Sequence, residues 1–169
     1  NALHGEMTLT AQGDSPARSH LQETLTLKEV RRDQLDFYHD VLRDWAVGSY
    51  IAEGPSRLSS YDLSNPVSAR LARGIEFAGR LKLEMDVDCC AWRNLLAHLS
   101  PENAHGSWRR QALLALTRSE ARRETLEKCS AELLADGAAL FNELCTTITA
   151  VETQATVDVL DLPAEAKSE

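Results

Sequence analysis

Between residues 85 and 105 the sequence MDVDCCAWRNLLAHLSPENAH crowds together Asp86, Asp88, Cys89, Cys90, Trp92, His98, Glu102 and His105. Thiolates and imidazoles hold zinc when they converge to about 2.0–2.3 Å from the ion. The spacing here argues against that. Cys89 and Cys90 are neighbours, and on a helix neighbours point about 100° apart, so one of them at most faces a shared centre. His98 and His105 follow at intervals that fit no standard zinc pattern. Asp86 and Asp88 could pair as acid and base, or hold magnesium with Glu84 or Glu102. That chemistry needs a cleft that shifts a carboxyl pKa, whereas helix capping accounts for Asp88 more simply. No nucleophile elbow surrounds the serines, and no glycine-rich phosphate loop is present. The expectation is no metal, no cofactor and no catalytic residue. A metal-dependent or hydrolytic enzyme around residues 86–105 is the third of three functional readings.

The other two readings come from charge and patterning. The 169-residue chain carries a net charge of −8, with 43% hydrophobic and 26% charged residues. Overall acidity disfavours a general nucleic-acid binder, which gains affinity by neutralising phosphates. The charge is uneven, however. Residues 107–128 hold six basic side chains against three acidic ones, and residues 129–169 hold eight acidic against one lysine. Arg109, Arg110, Arg118, Arg122 and Arg123 form a candidate nucleic-acid patch, with Trp92 and Trp108 as candidate stacking rings. Burial of each Trp beside a wet Arg is the simpler account. The four cysteines, Cys89, Cys90, Cys129 and Cys145, include no C-x-x-C pair. With no secretory signal visible, they are expected to be reduced, unbridged and free of metal in a cytoplasmic protein. No apolar run approaches the roughly 20 residues that span a membrane.

The elements that must carry these residues read as helices. Few glycines and prolines and many Ala, Leu, Glu and Arg favour helix. Residues 1–25 read as an arm with a turn at Gly13, Asp14, Ser15 and Pro16. A capping box of Thr26 and Glu29 predicts a first helix over 26–53, with Leu27, Val30, Tyr38, Val41, Leu42 and Trp45 at helical spacing and Gly54-Pro55 ending it. Asn65 with Pro66 predicts a second start, carrying Val67, Leu71, Ile75, Ala78, Leu81 and Met85. Short helices follow, capped by Asp88, by Ser100 before Pro101, and by Ser107. A second capping box, Thr117 with Glu120, predicts one long helix through residue 151. Its seven-residue seams, Leu126–Leu133–Leu140–Thr147 and Ser130–Gly137–Leu144–Val151, resemble a coiled coil. Gly137 predicts a bend or a close helix approach. The tail 155–169 could pair as a strand with the MTLT segment near the start.

The segments VRRDQLDFYHDVL, DVDCCAWRNLL and LTRSEARRETLEKCSAELLADGAALFNEL, in that order, resemble a family of uncharacterised bacterial proteins carried by prophages and plasmids. The resemblance spans residues 26–151 and implies a mobile-element accessory protein without an assigned activity. The predicted fold is an all-α bundle of about four to six helices with a long C-terminal helix and possible short terminal strands. Its divisions are an arm at 1–25, a helical domain at 26–154 and a tail at 155–169, with the first and last helices as the spine. The first functional reading is a protein that binds another protein, as an inhibitor or regulator of a host system. A homodimer is expected through Leu133, Leu140, Leu144 and Val151, because a 50 Å helix would outrun so small a core. Nucleic acid is the disfavoured partner and no membrane is expected.

Overall fold

A computed structural model describes residues 9–10, 16–24, 26–31 and 34–160. Three short strands form an antiparallel sheet of order β1-β3-β2: β1 (Leu9–Thr10), β2 (Leu27–Arg31) and β3 (Gln34–Phe37). Helix α1 (Pro16–Glu23) opens on the expected proline, a residue suited to a first helical position. The rest of the expected turn, Gly13 to Ser15, lies outside the described residues. The single helix predicted over 26–53 is corrected to a β-hairpin followed by α2 (Asp40–Glu53). The Thr26 hydroxyl meets the Thr24 hydroxyl at 3.1 Å, so the Thr26 box is not formed. Pairing Leu27 with Phe37 and Glu29 with Leu35 buries Leu27 and Leu35, a tertiary gain that overrides the helical propensity of a charged stretch.

Helix α2 ends at Gly54, as the Gly-Pro pair predicts, and a 3-10 turn (Pro55–Leu58) follows. Helix α3 (Ala69–Met85) starts later than expected. Ser68 is its cap, accepting from the Leu71 N–H. The expected cap, Asn65, is committed elsewhere: its amide donates to Asp62, and its carbonyl accepts from the Trp108 ring N–H at 2.7 Å. Next come α4 (Cys90–His98), α5 (Gly106–Arg118), α6 (Arg122–Lys128) and α7 (Ser130–Leu160). Thr117 lies inside α5 with its hydroxyl on the Leu114 carbonyl, so the second capping box is also corrected. No helix follows Ser100, whose hydroxyl donates to the Leu96 carbonyl, and the start expected at Ser107 is capped instead by His105, whose ring accepts from the Ser107 N–H.

The long C-terminal helix is present but broken. Ala135 to Ala138 leave helical geometry, and Asp136, Gly137 and Ala138 have φ of 50°, 70° and 62°. The glycine supplies the left-handed conformation without penalty, whereas a residue with a Cβ pays roughly 1–2 kcal/mol there. The bend therefore sits where Gly137 predicts it. The strand foreseen in the tail is corrected for residues 155–160, which continue α7, and β1 pairs with β3 instead. Residues 161–169 and the first part of MTLT lie outside the described residues. Among the described residues, no helix is long and apolar enough to cross a membrane.

The spine is α3 rather than the first and last helices. It lies between α2 and α5 and buries Leu71, Gly74, Ile75, Ala78, Gly79 and Leu83. Missing side chains set how closely it is approached. A Cβ on Gly74 would fall 2.3 Å from Val47 Cγ1, one on Gly48 would fall 2.8 Å from Phe77 Cβ, and one on Gly79 would fall 2.7 Å from Ala115 Cβ. Lys82 of α3 also donates to the Ala52 carbonyl near the end of α2, at 2.7 Å. Gly74→Ala is expected to cost about 2 kcal/mol through overpacking, read as a fall in urea midpoint. Adding Val47→Ala should cost less than the sum of the two single changes, because the variants share one contact. Gly106→Ala, with nothing within 4 Å of the new methyl group, is the control and should leave the midpoint unchanged.

Candidate functional site

Residues 85–93 lie at one corner, where the end of α3 meets α4, α6 and the first turn of α7. The carboxylate of Asp86, not that of Asp88, organises it. One oxygen accepts from the Ala91 N–H at 2.7 Å and the other from the Asp88 N–H at 3.2 Å. These two hydrogen bonds, aided by Lys128 and Arg93, hold the Asp86 carboxyl below the ordinary carboxylate range. Lys128 donates to the Leu83 carbonyl at 3.1 Å and to the Asp86 carbonyl. It thereby satisfies acceptors that the end of α3 leaves open. Met85 and Val87 stand 84% and 83% exposed on this corner, so Met85 is corrected from core to surface.

The expectation of four free cysteines is overturned: Cys89 is bridged to Cys129, with Cα atoms 6.2 Å apart and a sequence separation of 40. Both residues are buried, whereas Cys90 and Cys145 are free and exposed. The cysteine argument for a reducing compartment falls with this pairing. Adjacent cysteines do point apart, but one of them points at a partner on a distant element, which spacing cannot reveal. Cys89 has φ 57°, ψ 8°, a left-handed conformation that costs an L residue roughly 1–2 kcal/mol. Outside the bridge, Arg93 donates to the Cys90 sulfur at 2.8 Å and reaches Glu132 at 3.4 Å. The sulfur contact, then Glu132, holds the Arg93 guanidinium above its ordinary pKa.

The remaining candidates are dispersed. His105 Nδ1 and the Ser107 hydroxyl are 2.8 Å apart, but that hydroxyl also accepts from the Val67 N–H and the imidazole caps α5. The pair ties a loop to a helix start. Among the described residues, no group of three or more His, Cys, Asp or Glu could hold a metal ion. Trp92 and Trp108 are buried, with ring N–H groups on the carbonyls of Ala112 and Asn65, so neither offers a stacking face. Of the five arginines, Arg109 pairs with Glu143, Arg118 with Glu76 and Arg123 with Glu127, at 2.5, 2.5 and 3.0 Å. Arg110 and Arg122 are exposed. The basic run is thus largely answered within the chain.

Leu133 and Leu144 are buried in the chain's own core, and Leu140 packs against it, which corrects their assignment to an interface. Val151 stays 37% exposed, and among the described side chains of α7 the large apolar Leu134 and Phe141 are exposed as well. The reverse correction applies to α2. Val41, Leu42 and Trp45 share one face of α2, with Tyr38 just ahead of the helix; all four are expected in the core, and Tyr38, Val41, Leu42 and Trp45 are 45%, 74%, 38% and 54% exposed. The face that α2 buries is Arg43, Asp44, Val47, Gly48 and Ile51. Val47 and Gly48 were the missed signal: a β-branched residue beside a glycine marks the close approach to α3.

Two outcomes test the corner. Reducing the bridge, or replacing Cys129 by Ser, should lower stability by about 4 kcal/mol by the loop-entropy estimate, seen as a shift of the urea midpoint between oxidised and reduced protein. Asp86 has a depressed folded-state pKa, so its contribution is present above about pH 4 and is lost as the pH falls through the folded value. The acid limb of stability against pH is therefore expected to be shallower in Asp86→Ala than in the wild type, as followed by circular dichroism.

No family model, curated protein or solved structure matches the chain, and the geometry above is what bears on its function.

Proposed function

We propose that the chain acts by protein–protein interaction and that the exposed face of α2 joins two copies in a homodimer. The observation that carries this is the run Val41, Leu42 and Trp45, spaced as a helix–helix seam on α2 and left facing water. Contiguous exposed apolar surface on a helix is normally covered by a partner. Tyr50 is not part of the seam, because the Arg57 guanidinium lies 4.0 Å over its ring.

Local charge favours a second copy over a basic partner. The chain as a whole is acidic, but the charged neighbours of this face are matched. Asp40 and Asp44 both meet Arg43, and Asp44 also meets Arg73. Two negative and two positive side chains leave the rim neutral, so two copies meet without like-charge repulsion. In an isologous contact the same stripe of each copy meets the other. Tyr and Trp are also the side chains most often found as binding hot spots. Regulation of a host protein, with the dimer as the active form, extends this reading. The nucleic-acid alternative draws less support, because both candidate stacking rings are buried and three of its arginines are paired.

Light scattering at high micromolar concentration should give twice the 18.7 kDa chain mass. A monomeric mass there sinks the proposal. Trp45→Ala should weaken the dimer by about 2 kcal/mol, the scale of an interface hot spot. Val41→Glu should abolish it with the thermal melt of the monomer unchanged, since Val41 is among the most exposed apolar side chains.

A further inference from the structure

The corner at the start of α4 holds three sulfurs in an inside–outside arrangement. Cys89 and Cys129 form a buried bridge. Cys90, one residue along, is exposed and free. Burial shields the bridge from thiols in solution, because exchange needs direct access of a thiolate to a sulfur. Cys90 is the one free sulfur on the element that carries Cys89. Arg93 also links it to the segment that follows the other half of the bridge. One nitrogen of the guanidinium donates to Cys90 Sγ and another reaches Glu132, one helical turn beyond Cys129. The residue between the inner and outer positions, Cys89, occupies the left-handed region. For a side chain with a Cβ that conformation lies above the ordinary helical or extended ones, so rotation at this joint is downhill once the bridge lets go.

We propose that Cys89, Cys90 and Cys129 form a thiol–disulfide exchange site, in which Cys90 relays the buried bridge to the surface for attack by low-molecular-weight thiols. In the first step Cys90 gives up its thiol proton to water and its thiolate attacks Cys129 Sγ. The Cys90–Cys129 bond forms, the Cys89–Cys129 bond breaks, and Cys89 leaves with the electron pair and takes up a proton. There is no net oxidation or reduction, and no co-reactant is needed. In the second step an external thiolate attacks the Cys90 sulfur of the shifted bridge. A mixed disulfide forms on Cys90, and Cys129 leaves as a thiolate and is protonated. A second external thiol then displaces Cys90, so two thiols are oxidised to one disulfide while the protein bridge is reduced by two electrons. Arg93 is a positioning residue for the first step. The site is separate from the α2 face and does not depend on the dimer.

The test follows reduction of the native protein by dithiothreitol, by quenching with an alkylating agent and counting labelled cysteines by mass. Cys90→Ser should slow reduction about tenfold or more, since access and thiolate supply set exchange rates, with the urea midpoint of the oxidised protein unchanged. Arg93→Gln should also slow it, and Arg93→Lys should recover part of the rate. A separate variant, Cys89→Ser, should bridge Cys90 to Cys129 and leave Cys145 as its one free thiol. Reduction of Cys90→Ser at the wild-type rate overturns the proposal. So does a Cys89→Ser protein with three free thiols, a readout taken under denaturing conditions and therefore independent of whether that variant keeps the native fold.

Discussion

The close seating of α3 between α2 and α5 is the constraint on which the other contacts depend. Gly48, Gly74 and Gly79 leave no room for a methyl group, so the three helices meet nearly backbone to backbone. At that distance Ile75 and Ala78 are fully enclosed, and Lys82 can reach a carbonyl near the end of α2. The indole of Trp92 then fits against α5, with its N–H on the Ala112 carbonyl. Larger residues at the glycines would push the helices apart and strand both the lysine and the indole. Dispersion is steep with distance, so a shift of even an ångström would forfeit much of the packing that compensates for the entropy of ordering the chain.

The corner and the α2 face both follow from that seating. Because α3 is committed along its length, its last residues project past the core, and Met85 and Val87 have nothing to pack against. The turn that follows is closed by polar groups instead: Asp86 on two backbone N–H groups, Lys128 on two carbonyls, and a covalent tie to Cys129. Because α2 presents Val47 and Gly48 to α3, the stripe on its other side has to face outward. One helix thus carries apolar side chains on both sides, and the paired Arg43 and Asp44 are buried with the inner ones.

The sequence made the helical class legible, along with the end of α2 at Gly54, the bend at Gly137 and half of the buried face of α3, Leu71, Ile75 and Ala78. These rest on local rules: periodicity, glycine's tolerance of positive φ, and the Gly-Pro stop. What it hid depended on distant partners. Thr26 and Glu29 have the letters of a capping box, but Leu27 lies beside Phe37 in a sheet. Asn65 before Pro66 looks like a helix start, but its carbonyl belongs to Trp108. Cys89 and Cys129 are separated by three whole helices, α4, α5 and α6. The heptad seam was legible as a pattern but misread in direction, since the same leucines suit a partner's surface and the chain's own core. The arginines at 109, 118 and 123 looked like a patch because their carboxylates, save Glu127, lie far away in sequence.

The bridge also has a topological consequence. It closes a ring of chain that contains α4, α5 and α6, and α5 is one of the two helices that clasp α3. Between α4 and α5, residues 101–105 form a largely exposed connection within that ring. A single cut there by a protease would yield two pieces still joined through sulfur, with α3 and α4 on one and α5 to α7 on the other. Severing the backbone at this point therefore does not let the fragments part. The covalent path through Cys89 and Cys129 keeps the two halves of the core at a fixed, high effective concentration.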